Sequence, residues 1–223
     1  MNELLSQIAH CIEFGKVDKN SPYPPDMKGQ DGAKELTELA LESGIPAENI
    51  LNNAMLTGMK RVGEKFRDGK IYVPNVLIAA KAMSTSMELL KPYFLSGEVK
   101  HKGNVILGTV AGDLHDIGKN LVKMVLEGGG WNVIDLGVDV TSAKFLSELS
   151  NNSDVDAVGL SALLTTTMLN MKVIISDIKS QFPHIPVLVG GAPLSSEYSE
   201  KIGADFYSPN PQDALEYLNS KIM

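Results

Sequence analysis

Residues 104–120 read NVILGTVAGDLHDIGKN, and this stretch decides the fold. Its first seven residues form a short apolar run, which Ala111-Gly112-Asp113 ends with turn residues. The same pattern recurs four times downstream, at WNVIDLG (131–137), DAVGLSAL (156–163), PVLVGGA (186–192) and ADFYSP (204–209), with helical segments between. Short buried strands alternating with helices are the signature of a parallel sheet covered on both faces. In such sheets ligands sit beyond the carboxyl ends of the strands, near the switch in strand order. Chemistry is therefore expected in the residues that follow each run.

Upstream of about residue 95 the period is helical instead. Leu4, Leu5, Ile8 and Ile12 share one helical face, and Leu36, Leu39 and Ala40 form the next stripe. A third runs Ile50, Leu51, Ala54, Met55, Met59, Val62, and a fourth Val76, Ala80, Met83, Met87, Leu90. Four amphipathic helices imply a small bundle over residues 1–95. Pro46 and Pro92 mark helix boundaries, since proline suits a first turn and cannot continue a helix. KVDKNSPYPPDMKGQDG (16–32) reads as a long surface loop, SGEVKHKG (96–103) as an interdomain linker, and 104–223 as the α/β domain.

Composition narrows the function classes. The 223 residues are 43% hydrophobic and 21% charged, ordinary for a folded globular chain, and long enough for two modest domains. A net charge of −7 without any Lys/Arg block argues against nucleic-acid binding. Cys11 is the sole cysteine, which excludes an internal disulfide or a cysteine-clustered metal site and suits a small buried hydrophobe. No apolar run approaches the ~20 residues that span a bilayer. The amino terminus carries Glu3 and Glu13 in place of a basic start, so a cytoplasmic protein is expected.

Three strand ends carry candidate chemistry. After the first run, His115 stands between Asp113 and Asp116, ahead of Gly118. A neutral imidazole is a common metal ligand, and a carboxylate accepting its second N–H fixes the tautomer. A loop histidine paired with Asp113 or Asp116 explains the same residues equally well. After the third run comes a series of hydroxyls, Ser161 to Met168, and after the fourth the pair Gly190-Gly191. Glycines there admit a ligand close to the backbone, while helix capping and a tight turn are the plainer explanation.

Together, Asp113-Leu114-His115-Asp116-Ile117-Gly118, Ser161-Ala162-Leu163 and Gly190-Gly191 resemble the cobalamin-binding domain of cobalamin-dependent methionine synthase and of corrinoid methyl-carrier proteins. Gly58 to Phe66, followed by Gly69-Lys70-Ile71-Tyr72-Val73-Pro74, resembles the helical cap of the same family. The likeness covers nearly the whole chain, and it departs in the Pro-rich loop, which is longer than usual.

The resemblance implies an α/β fold: a four-helix bundle cap followed by a Rossmann-like (flavodoxin-like) doubly wound, parallel, five-stranded sheet. It implies cobalamin or a related corrinoid, with His115 as the lower cobalt ligand, Asp113 accepting its other N–H, and Thr167 extending the relay. Ser161, Leu163, Thr165, Gly190 and Gly191 would line a slot for the nucleotide tail, where an added side chain would fill the slot without unfolding the sheet. Asp116 and Gly118 join the cofactor contacts, as do Met59 and Tyr72 from the cap, which would have to swing on the linker. The implied cycle alternates cob(I)alamin, which does without the histidine, and methylcob(III)alamin, which takes it back. A substrate-specific methyltransferase would load the methyl group from methanol, a methylamine, a betaine or, favoured by overall likeness, a methoxylated aromatic. A second methyltransferase would pass it to tetrahydrofolate or coenzyme M, and a reductive activase would restore the cobalt. The chain would not catalyse either transfer alone, having no room for a barrel of roughly 250 residues.

Three rivals share the α/β plan. A phosphorylated receiver domain needs an aspartate where Ser161 stands. A light-sensing regulator needs a DNA-binding helix pair. The alternative kept is a cobalamin-binding subunit of an adenosylcobalamin-dependent mutase, which typically lacks the helical half.

Overall fold

The computed structural model describes residues 2–97 and 99–221; Met1 and Glu98, part of the expected cap and linker, lie outside them. The chain divides into two compact units, Met1–His101 with Gly128–Gly130, and Lys102–Glu127 with Trp131–Met223.

The first unit is helical. It contains α1 (Asn2–Phe14), α2 (Ala33–Glu42), α3 (Ala47–Ile50), a π-helical segment Leu51–Met55, α4 (Leu56–Arg67) and α5 (Val73–Leu95). The third apolar stripe spans α3, the π segment and α4, and all six of its residues are buried. The widened turn closes with Leu56 N–H donating to Leu51 O, a local device that apolar spacing does not reveal. Cys11 is buried, and burial pushes its thiol pKa up to about 11.

Four readings from the sequence need correction here. Leu39 is half exposed, because α2 buries the small residues Ala33, Thr37 and Ala40 against its neighbours. Pro92 lies inside α5: it sits in the last turn, where its missing N–H removes one hydrogen bond, and Ser96 N–H still reaches Pro92 O. The stretch 16–32 is not wholly surface. It holds a 3₁₀ turn, Pro25–Met27, and Lys16 is fully buried with Nζ donating to Ser21 O at 3.1 Å. The expected linker is anchored too, since Val99 is buried with its N–H on Tyr93 O, and the His101 ring stacks on Phe94 with centroids 4.3 Å apart.

The second unit is a five-stranded, all-parallel sheet in the order β2-β1-β3-β4-β5. Its strands are β1 (Asn104–Thr109), β2 (Asn132–Asp135), β3 (Val155–Ser161), β4 (Val187–Gly190) and β5 (Phe206–Tyr207). The connecting helices are α6 (Ile117–Gly128), α7 (Ser142–Asn151), α8 (Leu169–Gln181), α9 (Ser196–Ile202) and α10 (Pro211–Lys221). Central strands β1 and β3 are apolar nearly throughout because both faces are covered. Ile106, Val158, Phe145, Ile174 and Val187 are buried to within a percent or two and anchor the core. Each such side chain contributes roughly 1.5–3 kcal/mol.

This order reverses direction between β1 and β3, which opens a crevice at their carboxyl ends. Register then aligns the three motifs, with Thr109 opposite Ser161 and Ser161 opposite Gly190.

Candidate functional site at the strand switch

The loop leaving β1 turns at Gly112, whose φ of +81° is one that glycine adopts freely. Asp113 then folds under His115. Its Oδ1 accepts the His115 backbone N–H at 3.1 Å, an Asx-type turn, and lies 2.7 Å from His115 Nδ1. Its Oδ2 accepts from Leu163 N at 2.8 Å, Leu164 N at 3.3 Å and Thr167 Oγ1 at 2.6 Å. Asp113 is fully buried. Burial by itself would raise its pKa, but the hydrogen bonds from Thr167, the Leu163 N–H and His115 outweigh it, holding the carboxyl well below the usual carboxylate range.

An ionised carboxylate can only accept, so the proton on this imidazole is at Nδ1 and Nε2 presents its lone pair. The His115 side chain is half exposed. Thr109 Oγ1 fixes the same residue from below by donating to His115 O at 2.9 Å. In the loops and helix starts that follow β1 and β3, Leu114, Ile117, Leu163, Leu164 and Leu169 are all exposed, an apolar rim of the kind that marks a binding surface.

Beside this loop a cavity of about 420 Å³ runs down between the sheet and the helices α6 and α10. Gly118, Ser161, Gly190 and Gly191 line it together, with Val105, Leu107, Leu126 and Leu218 among the apolar wall. Most polar side chains on its wall are already engaged: Tyr207 Oη donates to Leu194 O, Ser208 Oγ to Asn210 O, and Asn210 pairs with Asp213.

The other expected contacts are placed differently. Leu163 and Thr165 are exposed and lie outside the cavity lining. Asp116 accepts from Asn120 Nδ2 at 3.0 Å and starts α6, so it is Asp113 that meets the imidazole. In the helical unit Met59 is buried, whereas Tyr72, at the start of α5, is 72% exposed. Gly191 also departs from expectation. At φ +135° a Cβ there would stand 1.8 Å from Ala162 O, so the chain itself requires glycine, and a larger residue would disturb the sheet edge. At Gly190 the nearest atom, Ser208 O, is 3.2 Å from a built Cβ.

Two participants were missed. Lys119 is buried and lines the cavity, with Nζ 2.7 and 2.8 Å from the carboxylate oxygens of Asp135. Its position on the stripe with Val122 and Leu126 could have flagged it. Asp139 bonds the Gly112 N–H from a distant turn, and no local signal announces that.

The donor set fits a macrocycle-bound metal. Among the described residues no three His, Cys, Asp or Glu side chains gather to hold a bare ion. One imidazole with an open Nε2, an apolar rim and an adjoining cavity suit a metal whose equatorial positions are already filled. No helix among the described residues is long and apolar enough to cross a membrane.

The B12 binding domain family matches residues 103–216, and a second B12 binding domain family matches residues 30–91. The chain is 39% identical over 173 residues to dimethylamine corrinoid protein 3 of Methanosarcina acetivorans, covering 77% of this chain and 81% of that one. It is 36% identical over 195 residues to trimethylamine corrinoid protein 1 of the same organism, covering 86% and 90%. Among solved structures, the methanol:cobalamin methyltransferase complex MtaBC of Methanosarcina barkeri contains a chain that superposes with a TM-score of 0.82 at 29% identity, over 99% of this chain and 80% of that one.

Proposed function

The chain belongs to the B12-binding-domain family, and from that membership we propose that it is a corrinoid protein carrying a methyl group on cobalt between two methyltransferases. The observation that carries the reading is the His115 imidazole, held at Nδ1 by a buried, ionised Asp113 with Nε2 open at the strand switch. When bound, the corrinoid supplies a cobalt centre that takes up and releases the methyl group.

The chain's own residues then have separable tasks. His115 Nε2 would be the protein's ligand to the cobalt. Asp113 keeps the proton on Nδ1, which leaves the Nε2 lone pair for the metal. Thr167 and the Leu163 and Leu164 N–H groups keep that carboxylate charged. Asp113 would hold the ring at Nδ1 whether or not Nε2 is engaged. Ser161, Gly118, Gly190 and Gly191 line the cavity that would take the nucleotide tail, and the exposed Leu163, Thr165 and Asp116 would border the corrin. Tyr72, which is exposed, and Met59, which is buried, are the corrinoid contacts proposed from the helical unit.

The relatives are named for methylamines and a methanol complex, so a small donor of that type replaces the methoxylated aromatic favoured by the sequence likeness. A second methyltransferase acting on tetrahydrofolate or coenzyme M and a reductive activase complete the proposed set. The test mixes the reduced, corrinoid-loaded protein with methylamine-specific and methanol-specific methyltransferases separately, each with its donor, and follows cobalt methylation by visible absorbance. Methylation by one pair supports the reading. A protein that binds corrinoid yet is methylated by none of them contradicts it.

A further inference from the structure

Asp139 is the only non-glycine among the described residues with a positive φ, +54°. It occupies the turn between β2 and α7, and its side chain is exposed. In this left-handed conformation both of its polar groups face the loop after β1. Its backbone N–H donates to Asp113 O at 3.0 Å, and its Oδ1 accepts the Gly112 N–H at 2.7 Å. One residue thus grips the peptides on either side of Gly112 and Asp113.

Aspartate tolerates the left-handed region better than most residues because its short side chain can bond nearby backbone. Here the bonds go to residues 26 and 27 positions away in sequence. Strain kept for a remote contact points to a positional requirement. The same loop is held from a second side by Asn170 Nδ2, which donates to Ala111 O at 2.7 Å. What the loop must aim is a carboxylate with two obligations: Oδ1 on the His115 ring and Oδ2 on Thr167 and the Leu163 N–H. A small rotation of the Asp113 peptide would break one or the other.

Resting on the corrinoid reading above, we propose that Asp139 is a positioning residue for His115, setting the Gly112–Asp113 peptides so that one carboxylate meets the imidazole and Thr167 at once. The test uses the full chain with cobalamin, reduced to the cob(II) form, as Asp139→Asn, Asp139→Gly and Asp139→Ala. Thermal midpoint, corrinoid content and nitrogen coupling in electron paramagnetic resonance are measured together. Asparagine keeps an acceptor and tolerates the conformation, so it should match the unaltered protein. Glycine relieves the strain but loses the acceptor. It should melt no lower, retain corrinoid, and show a ratio of histidine-bound to histidine-free cobalt lower by about tenfold, the size of one hydrogen bond to a charged group. Alanine should show the same loss of coupling with a lower midpoint. Unaltered nitrogen coupling in the glycine and alanine variants would overturn the proposal, as would a loss of coupling equal in the asparagine and glycine variants. Absence of histidine coupling in the unaltered protein would instead sink the corrinoid reading on which it rests.

Discussion

Asp113 is a buried charge, and it is tolerable because five hydrogen bonds, from His115, Leu163, Leu164 and Thr167, converge on its two oxygens. Removing the Thr167 hydroxyl by Thr167→Val should cost about 1.5–3 kcal/mol, the range for a hydrogen bond to a charged group, while Thr167→Ser should cost much less. The sign with pH follows from the folded pKa lying below the unfolded one. Stability from the ionised Asp113 is present above the ordinary carboxylate value of about 3.9 and lost only as pH falls through the lower folded value. The gap between unaltered protein and Thr167→Val, read from urea midpoints, should therefore be full at neutral pH and close only in strong acid. A gap that closes between pH 5 and 7 would be inconsistent with this. The glycine pair separates in the same assay. Gly191→Ala meets Ala162 O at a forbidden φ and should lose roughly 3 kcal/mol or more, whereas Gly190→Ala should lose under ~1.5 kcal/mol. Asp113, His115, Ser161 and Gly190 were legible because each lies at the carboxyl end of its strand or in the loop just beyond it, so strand order brings them together. Asp139 was not, because its conformation and its partners are set by tertiary packing across the sheet.

Among the elements, α6 is tied to β2 by an ion pair between the buried Lys119 and the partly buried Asp135, with Lys123 3.4 Å from the same carboxylate. Burial would raise the Asp135 pKa, and Lys119, the Gly137 N–H and Lys123 outweigh it and lower it. Removing Lys119 leaves the partly buried Asp135 with only Lys123 and the Gly137 N–H, so Lys119→Met should destabilise by about 1.5–3 kcal/mol, the range for a hydrogen bond to a charged group. Lys119→Met with Asp135→Leu should recover most of that loss, and a double-mutant cycle in urea measures the coupling. Additive losses would show that the pair is not coupled. The five strands could be read from the sequence because inner strands of a doubly covered parallel sheet are apolar throughout. Helix detail was less legible. A π turn leaves the apolar stripe of Ile50 to Val62 intact, a proline in a last turn costs one hydrogen bond, and the small buried face of α2 carries no large apolar residue to announce it.

For the molecule as a whole, the two units divide the labour that the proposed function requires. The α/β unit holds the His115 chain and the cavity, and the helical unit presents Tyr72 outside its core. Tyr72→Ala should leave the thermal midpoint nearly unchanged, within the ~0.5 kcal/mol usual for surface changes, while speeding photolysis of the methylated form. A matching photolysis rate would remove Tyr72 from the cofactor's surroundings. The two-unit plan was visible as a change of hydrophobic period near residue 95, but the boundary itself was not, since Val99 and His101 pack back onto the end of α5. The central claim is that one imidazole of this chain holds the cobalt. The most direct measurement is electron paramagnetic resonance of the cob(II) form prepared with ¹⁵N-histidine, beside the ¹⁴N protein and His115→Ala. The account expects each cobalt line to split into three with ¹⁴N, to split into two with ¹⁵N, and to lose this histidine coupling in His115→Ala. Splitting that ignores the isotope, or that survives intact in His115→Ala, would contradict it.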